Sequence, residues 1–288
     1  MNTQSLVQLA LPKGRMFEKL KQLLGDAGCP ILNRDRDYRV QLALDGVSAK
    51  LLKPQGIVEM LAAGRRDIGF AGADWVAELN ADLVPLLDTE LDTVEIVAAA
   101  PESLLVDGQL PTRPLVVASE YAQITQRWMR DVNLEGRFVR SWGATEVLPP
   151  EDADCIVDNT ATGSTLRANR LQIVDTIMTS STRLYANPKV LDDPPKRRLI
   201  DDFVMVLKAV LDARKRVMLE FNLDAQRLET VLPLLPAMRE PTIARLQSDE
   251  GVAVRAAVPK AQLTTILPAI KSVGGTDIVV SRIDQIVA

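Results

Sequence analysis

Residues 153–165 read Ala-Asp-Cys-Ile-Val-Asp-Asn-Thr-Ala-Thr-Gly-Ser-Thr. The first five are a short apolar run with strand character. It ends on Asp158 and passes into a loop of hydroxyls around Gly163. The next residues, Leu166–Leu171, suit a helix. A buried strand, a Gly/Thr-rich loop and a helix start make a cradle for phosphate. Glycine tolerates positive φ and close backbone approach. Successive amides there can form an anion nest. Thr160, Thr162, Ser164 and Thr165 add hydroxyl donors, and Asp158 is placed to bind sugar hydroxyls, directly or through a metal. The same residues also suit a polar turn whose hydroxyls only cap a helix. The segment is not a P-loop, because no Lys follows the glycine, and it lacks G-x-G-x-x-G.

Outward from this unit the chain alternates strands and helices. Leu6–Leu11 is a strand, followed by a helix over Met16–Ala27 and a strand pair at Arg39–Leu44 and Ala49–Leu52. A helix over Gly56–Ala63, a strand at Asp67–Ala71 and a helix opening at Gly72-Ala73-Asp74 follow. Val94–Ala100 has no polar alternation and reads as buried on both faces. Strands at Leu115–Ala118, Gly136–Arg140 and Gln172–Ser180, with a helix over Tyr121–Asp131, continue the scheme. The pattern predicts a parallel α/β core in two lobes. A long helix over Lys196–Arg214 leads to a tail of order β-α-β-β-α-β, the ferredoxin-like arrangement. Its expected elements are strand Val217–Phe221, helix Asp224–Leu235, strands Thr242–Leu246 and Val252–Val258, helix Lys260–Val273 and strand Asp277–Ile283.

The chain has 288 residues, a formal net charge of -4 and no histidine. That excludes Ser-His-Asp and Cys-His nucleophiles, a histidine base and His-ligated metal. Cys29 and Cys155 sit among apolar residues, as buried thiols of a reducing cytoplasm do. The N-terminus, MNTQSLVQLALPKGRMF, lacks the basic start of a signal peptide. No apolar run approaches the ~18 residues of a membrane span. Mild acidity argues against a nucleic-acid partner.

Other candidate residues lie at expected strand ends, where ligands of α/β sheets bind. Lys13, Gly14 and Arg15 follow the first strand, and the two cations there would meet an anionic ligand. They are otherwise solvated charges that a helix start disfavours. Lys53 and Asp74 are weaker candidates of the same kind. Glu146 in Gly-Ala-Thr-Glu is either a solvated acid or a ligand to a sugar or Mg²⁺.

The segments LALPKGRMFE, DIGFAGADWV, SWGATEVLPPEDADCIVDNTATGSTLRANRL and REPTIARL resemble the ATP phosphoribosyltransferase family in its long form, which carries a C-terminal ACT-like regulatory domain. The resemblance spans nearly the whole chain. It implies a two-lobed catalytic core like type II periplasmic binding proteins, with lobe I at 1–97 and 179–212, lobe II at 98–178, and the regulatory domain at 213–288. It implies Mg²⁺-dependent transfer of ribosyl-5-phosphate from phosphoribosyl pyrophosphate to N1 of ATP. Asp158 and Thr160 to Thr165 (Thr160, Ala161, Thr162, Gly163, Ser164 and Thr165) would hold the ribose and its phosphate. Lys13, Gly14, Arg15, Lys53 and Asp74 would line the nucleotide and diphosphate region, with Glu146 nearby. Lys13, Arg15 and Glu146 are the candidates for catalysis. Mg²⁺ would ride mainly on the diphosphate, with Glu146 or Asp158 as a protein ligand. Histidine as inhibitor, a homohexamer held by the tail, and a cytoplasmic location are further implications. One departure is Asn159, where many members carry an aliphatic residue. The alternative is a two-lobed binder of small anions without catalysis.

Overall fold

A computed structural model describes residues 6–32, 38–247 and 250–287. The first five residues of the N-terminal stretch MNTQSLVQLALPKGRMF lie outside them. The chain forms two compact units, Met1–Gln22 with Ile31–Asp201, and Leu23–Pro30 with Asp202–Ala288. Among the described residues no helix is long and apolar enough to cross a membrane.

In chain order the elements up to the long helix are β1 (Val7–Pro12), α1 (Arg15–Asp26), β2 (Arg39–Val40), β3 (Val47–Leu52), α2 (Pro54–Ala62), β4 (Ile68–Gly72), α3 (Ala73–Glu78), β5 (Val84–Pro101), β6 (Leu115–Ser119), α4 (Ala122–Asp131), β7 (Gly136–Arg140), β8 (Cys155–Thr160), α5 (Ser164–Ala168), β9 (Leu171–Ala186) and α6 (Pro194–Arg214). The strands form one sheet of order β2-β3-β1-β4-β9-β5-β8-β6-β7. β1 runs parallel to β3 and β4, and β6 runs parallel to β7 and β8. Between these parallel halves, β9 and β5 lie antiparallel to each other and to their outer neighbours.

The core is therefore mixed where strand-helix alternation predicts a parallel sheet. β5 is also more than twice as long as its apolar part, Val94–Ala100, suggests. Its first half, Val84–Thr93, is interrupted by register shifts and by positive φ at Glu90 and Asp92, so side-chain periodicity is lost there. The lobe limits expected at 97/98 and 178/179 fall inside β5 and β9. The apolar half of β5 divides its side chains between two clusters. Ile96, Ala98 and Ala100 join Leu115, Val117 and Trp128 on one face. Val97 and Ala99 join Ile156, Leu166 and Leu171 on the other. Burial of both faces is the physical reason for its continuous hydrophobicity.

In the second unit, β10 (Arg216–Asp224), α7 (Leu228–Val231), β11 (Thr242–Arg245), β12 (Gly251–Pro259), α8 (Leu263–Ser272) and β13 (Thr276–Arg282) follow one another. The sheet order is β11-β12-β10-β13, antiparallel throughout. This is the ferredoxin-like arrangement. Val217, Leu219, Phe221 and Leu223 alternate inward from β10 onto Val231, Ile266 and Ile270. The helix expected over Asp224–Leu235 is instead a series of short turns, with α7 between two 3₁₀ segments, Ala225–Arg227 and Leu232–Leu234. Pro233 has no N–H to continue an α-helical ladder.

Cys29 and Cys155 are both unpaired and buried. Burial, and then the neighbouring Asp154 carboxylate, push the Cys155 thiol up to about 12.

Candidate active site

β8 carries Cys155, Ile156 and Val157 through the core and delivers Asp158 to its carboxyl end. Asp158 and Asn159 still pair with Val97 and Ile96 of β5, so their backbone is held by the ladder. The chain then turns. Gly163 has φ +70, the left-handed region that glycine enters without steric strain. Its N–H donates to Thr160 Oγ1 at 2.9 Å. Thr162 Oγ1 donates to Ser164 Oγ at 3.0 Å and accepts from the Ser164 N–H at 3.4 Å. Leu166, one turn into α5, anchors the loop in the core. Capping turn and phosphate cradle thus describe the same atoms, since the hydroxyls that pin the turn are those that would face an anion.

The loop walls a cavity of about 430 Å³. Asp158, Thr160, Ala161, Thr162, Ser164 and Thr165 line it from one side, and Arg15, at the start of α1, and Glu146 from others. Arg15 follows β1 and Asp158 lies near the carboxyl end of β8, so the carboxyl ends of the two parallel halves meet at this cavity. Glu146 stands in a 3₁₀ turn preceded by Gly143 and Ala144, both at positive φ. A 2.8 Å hydrogen bond between Ser141 and Thr145 hydroxyls ties that turn together.

The remaining sequence candidates are not among the residues lining the cavity. Gly163 lies beneath its surface as the pivot of the loop. Gly14 opens α1, its carbonyl accepting from Phe17 N. Lys13 places Nζ 3.9 Å from the centre of the Tyr38 ring, a cation–π contact. Lys53 caps α2 just before Pro54. Asp74 is buried in the first turn of α3, accepting from Ser180 Oγ at 2.7 Å and Tyr121 at 2.8 Å. Lys13, Lys53 and Asp74 nevertheless share one edge, since they follow the parallel strands β1, β3 and β4.

Two charged groups of the site escaped the sequence reading. Glu120 lines the cavity directly after β6, a strand-end position that could have flagged it. Arg167 folds back from α5 and donates from Nη2 to Thr162 O at 2.9 Å, placing a guanidinium beside the loop. Its spacing of four from Gly163 carries no signal until the helix is known. Burial first, and then the charges of Glu146 and Glu120, push the Asp158 carboxyl up to about 6, although the Asn159 N–H opposes this. Among the described residues no three acidic or thiol side chains are placed to hold a metal alone.

The family model described as ATP phosphoribosyltransferase matches residues 53–209, and a model of the HisG C-terminal domain matches 213–285. This chain belongs to the ATP phosphoribosyltransferase family. It is a transferase of histidine biosynthesis, acting on ATP and a phosphoribosyl donor. The first match includes Lys53, Asp74, Glu146 and the whole loop; Lys13, Gly14 and Arg15 precede it. ATP phosphoribosyltransferase of Solibacter usitatus is 34% identical over 98% of this chain and 99% of its own. The enzyme of Chlorobium phaeovibrioides is 32% identical over 99% of each. Among solved structures, the ATP phosphoribosyl transferase (HisG:HisZ) complex from Thermotoga maritima aligns with 72% of this chain and 99% of its own, at TM-score 0.64 and 27% identity. A periplasmic binding protein from Brucella ovis aligns more loosely, with 73% of this chain and 69% of its own, at TM-score 0.46 and 11% identity.

Proposed function

We propose that this ATP phosphoribosyltransferase transfers ribosyl-5-phosphate from phosphoribosyl pyrophosphate to N1 of ATP, releasing diphosphate, and that the cavity at Asp158 is where it does so. One observation carries this reading: an acid, a hydroxyl loop and Arg15, from separate parts of the chain, line a single cavity. In the reaction the N1 lone pair forms the new bond to the ribose anomeric carbon as that carbon's bond to diphosphate breaks. N1 needs no base and diphosphate needs no strong acid, which suits a chain without histidine. Catalysis is then alignment and charge neutralisation. Asp158 binds the ribose hydroxyls. The amides and hydroxyls of Thr160 to Thr165 hold the 5-phosphate, with Arg167 beside them. Arg15, with Lys13, Gly14 and Lys53 along the neighbouring strand ends, serves the nucleotide and diphosphate, while Asp74, buried with both oxygens taken by Tyr121 and Ser180, supports that edge from within.

The donor set fits Mg²⁺, which commonly takes one or two carboxylates and completes its shell from substrate phosphates and water. Glu146 or Asp158 would hold it, and when bound it neutralises the diphosphate leaving group. The C-terminal unit supports a regulatory role with histidine as inhibitor in a cytoplasmic homohexamer. The Thermotoga complex joins two different proteins, whereas this chain carries a ferredoxin-like unit of its own.

The test is to incubate the protein with ATP, Mg²⁺ and phosphoribosyl pyrophosphate and look for phosphoribosyl-ATP. No product from well-folded protein would favour the anion-binder alternative. Gly163→Val puts a β-branched residue at φ +70, where a non-glycine residue costs roughly 1–2 kcal/mol. It is expected to raise KM for phosphoribosyl pyrophosphate more than about tenfold while the thermal midpoint falls only a few degrees. Unaltered kinetics would remove the loop from the site.

A further inference from the structure

Tyr121 is not among the residues lining the cavity; it is 2% exposed and packs 5.1 Å from the ring of Trp75. Its N–H donates to Ser119 Oγ at 2.9 Å, fixing it at the entry to α4. A phenol has one proton, and here it goes to Asp74 Oδ2 at 2.8 Å. Asp74 is held as acceptor on its other oxygen by Ser180 Oγ at 2.7 Å, while the Asp74 N–H donates back to that hydroxyl at 3.0 Å. Asp74 thus accepts from both hydroxyls, one on each oxygen. The Tyr121 oxygen can therefore only accept in any further bond.

It accepts from Asn159 Nδ2 at 3.2 Å. This polarity sets the orientation of the Asn159 amide, nitrogen toward Tyr121. The same Nδ2 reaches Asp158 Oδ1 at 3.3 Å, and the Asn159 N–H donates to that oxygen at 2.7 Å. Oδ1 of Asp158 is thus committed to the chain, and Oδ2 is the oxygen left for a ligand. Packing does not demand asparagine at this place. The side chain is exposed, and the pairing of β8 with β5 needs only its backbone.

We propose that Tyr121 is a positioning residue for Asp158, acting through the Asn159 amide and itself oriented by buried Asp74. The proposal rests on Asp158 binding the phosphoribosyl donor, as proposed above. It assigns Asn159 a function that depends on its donor group.

The test uses the full chain, with kcat, KM for each substrate and thermal midpoint measured for Tyr121→Phe, Asn159→Leu, Asn159→Asp, the Tyr121→Phe/Asn159→Leu double variant and Asp158→Ala. Tyr121→Phe and Asn159→Leu should each raise KM for phosphoribosyl pyrophosphate about tenfold, as loss of a hydrogen bond to a charged group does. KM for ATP should stay near that of the parent; the thermal midpoint should hold in Asn159→Leu and fall by a few degrees in Tyr121→Phe, where buried Asp74 Oδ2 loses its donor. Asn159→Asp, isosteric but without the donor, should be at least as damaging as Asn159→Leu. The double variant should be no worse than Asn159→Leu, because Tyr121 acts only through Asn159. A silent Tyr121→Phe, a mild Asn159→Asp, or effects that multiply in the double variant would overturn the relay. If Asp158→Ala leaves KM for phosphoribosyl pyrophosphate unchanged, the assignment of Asp158 fails, and the relay with it. A strong Asp158→Ala with silent Tyr121→Phe and Asn159→Leu removes the relay alone.

Discussion

Asp158 illustrates what a single residue owes to its surroundings. Its folded carboxyl titrates up to about 6, above the ordinary 3.8, chiefly through burial and then through Glu146 and Glu120. The unfolded chain gives up this proton more readily, so above about pH 6 the ionised form penalises folding. The penalty fades as pH falls through 6 and is gone near the ordinary value. Asp158→Asn should therefore stabilise the protein by on the order of 2–3 kcal/mol at pH 8, and by nothing near pH 4. Urea midpoints at both pH values, without substrates or divalent ions, check this. An Asn variant no more stable than the parent at pH 8 would contradict it. The residues of this loop were legible because they are contiguous. The bonds that join Asn159 to Tyr121 and Tyr121 to Asp74 were not, since 38 and 47 positions separate the members of each bonded pair. Pattern reading has no means of joining side chains at such distances.

At the scale of elements, alternation told the truth wherever one face is buried. β10 shows this: every second residue from Val217 to Leu223 points into the core of its unit. Phe221, 2% exposed among these side chains, is the largest of them. Phe221→Ala should cost about 3–5 kcal/mol through lost burial and the cavity left behind. Chemical denaturation of the full chain, followed by a probe of the C-terminal unit, measures it; a loss below about 1 kcal/mol would mean the site collapses around the gap. The expected elements erred where local chemistry overrules periodicity. Pro233 breaks the turns after β10 into short segments, and the bulged first half of β5, which pairs with β9, precedes the expected strand start at Val94.

At the scale of the whole molecule, the proposed regulation by histidine is assigned to the C-terminal unit and is tested by removing it. Removing Val217–Ala288 should leave phosphoribosyl transfer measurable but insensitive to histidine, with a smaller assembly. Activity at increasing histidine, together with sedimentation of both forms, checks this. Inhibition that persists in the truncated enzyme would place the effector elsewhere. The Thermotoga chain, 99% of which aligns with 72% of this one, shows that a chain of the shorter extent exists as a folded subunit. The sequence by itself determined the α/β class, the ferredoxin-like order of the tail, the phosphate-loop candidate and the family, because each is written in contiguous residues or their spacing. Tertiary structure alone decided the antiparallel β5–β9 centre, the common cavity of Arg15 and Asp158, the acidic neighbour Glu120, and the buried hold of Asp74 on Tyr121. These depend on which distant backbones pair. That choice is made by long-range burial and by satisfying buried polar groups, which local patterns do not encode.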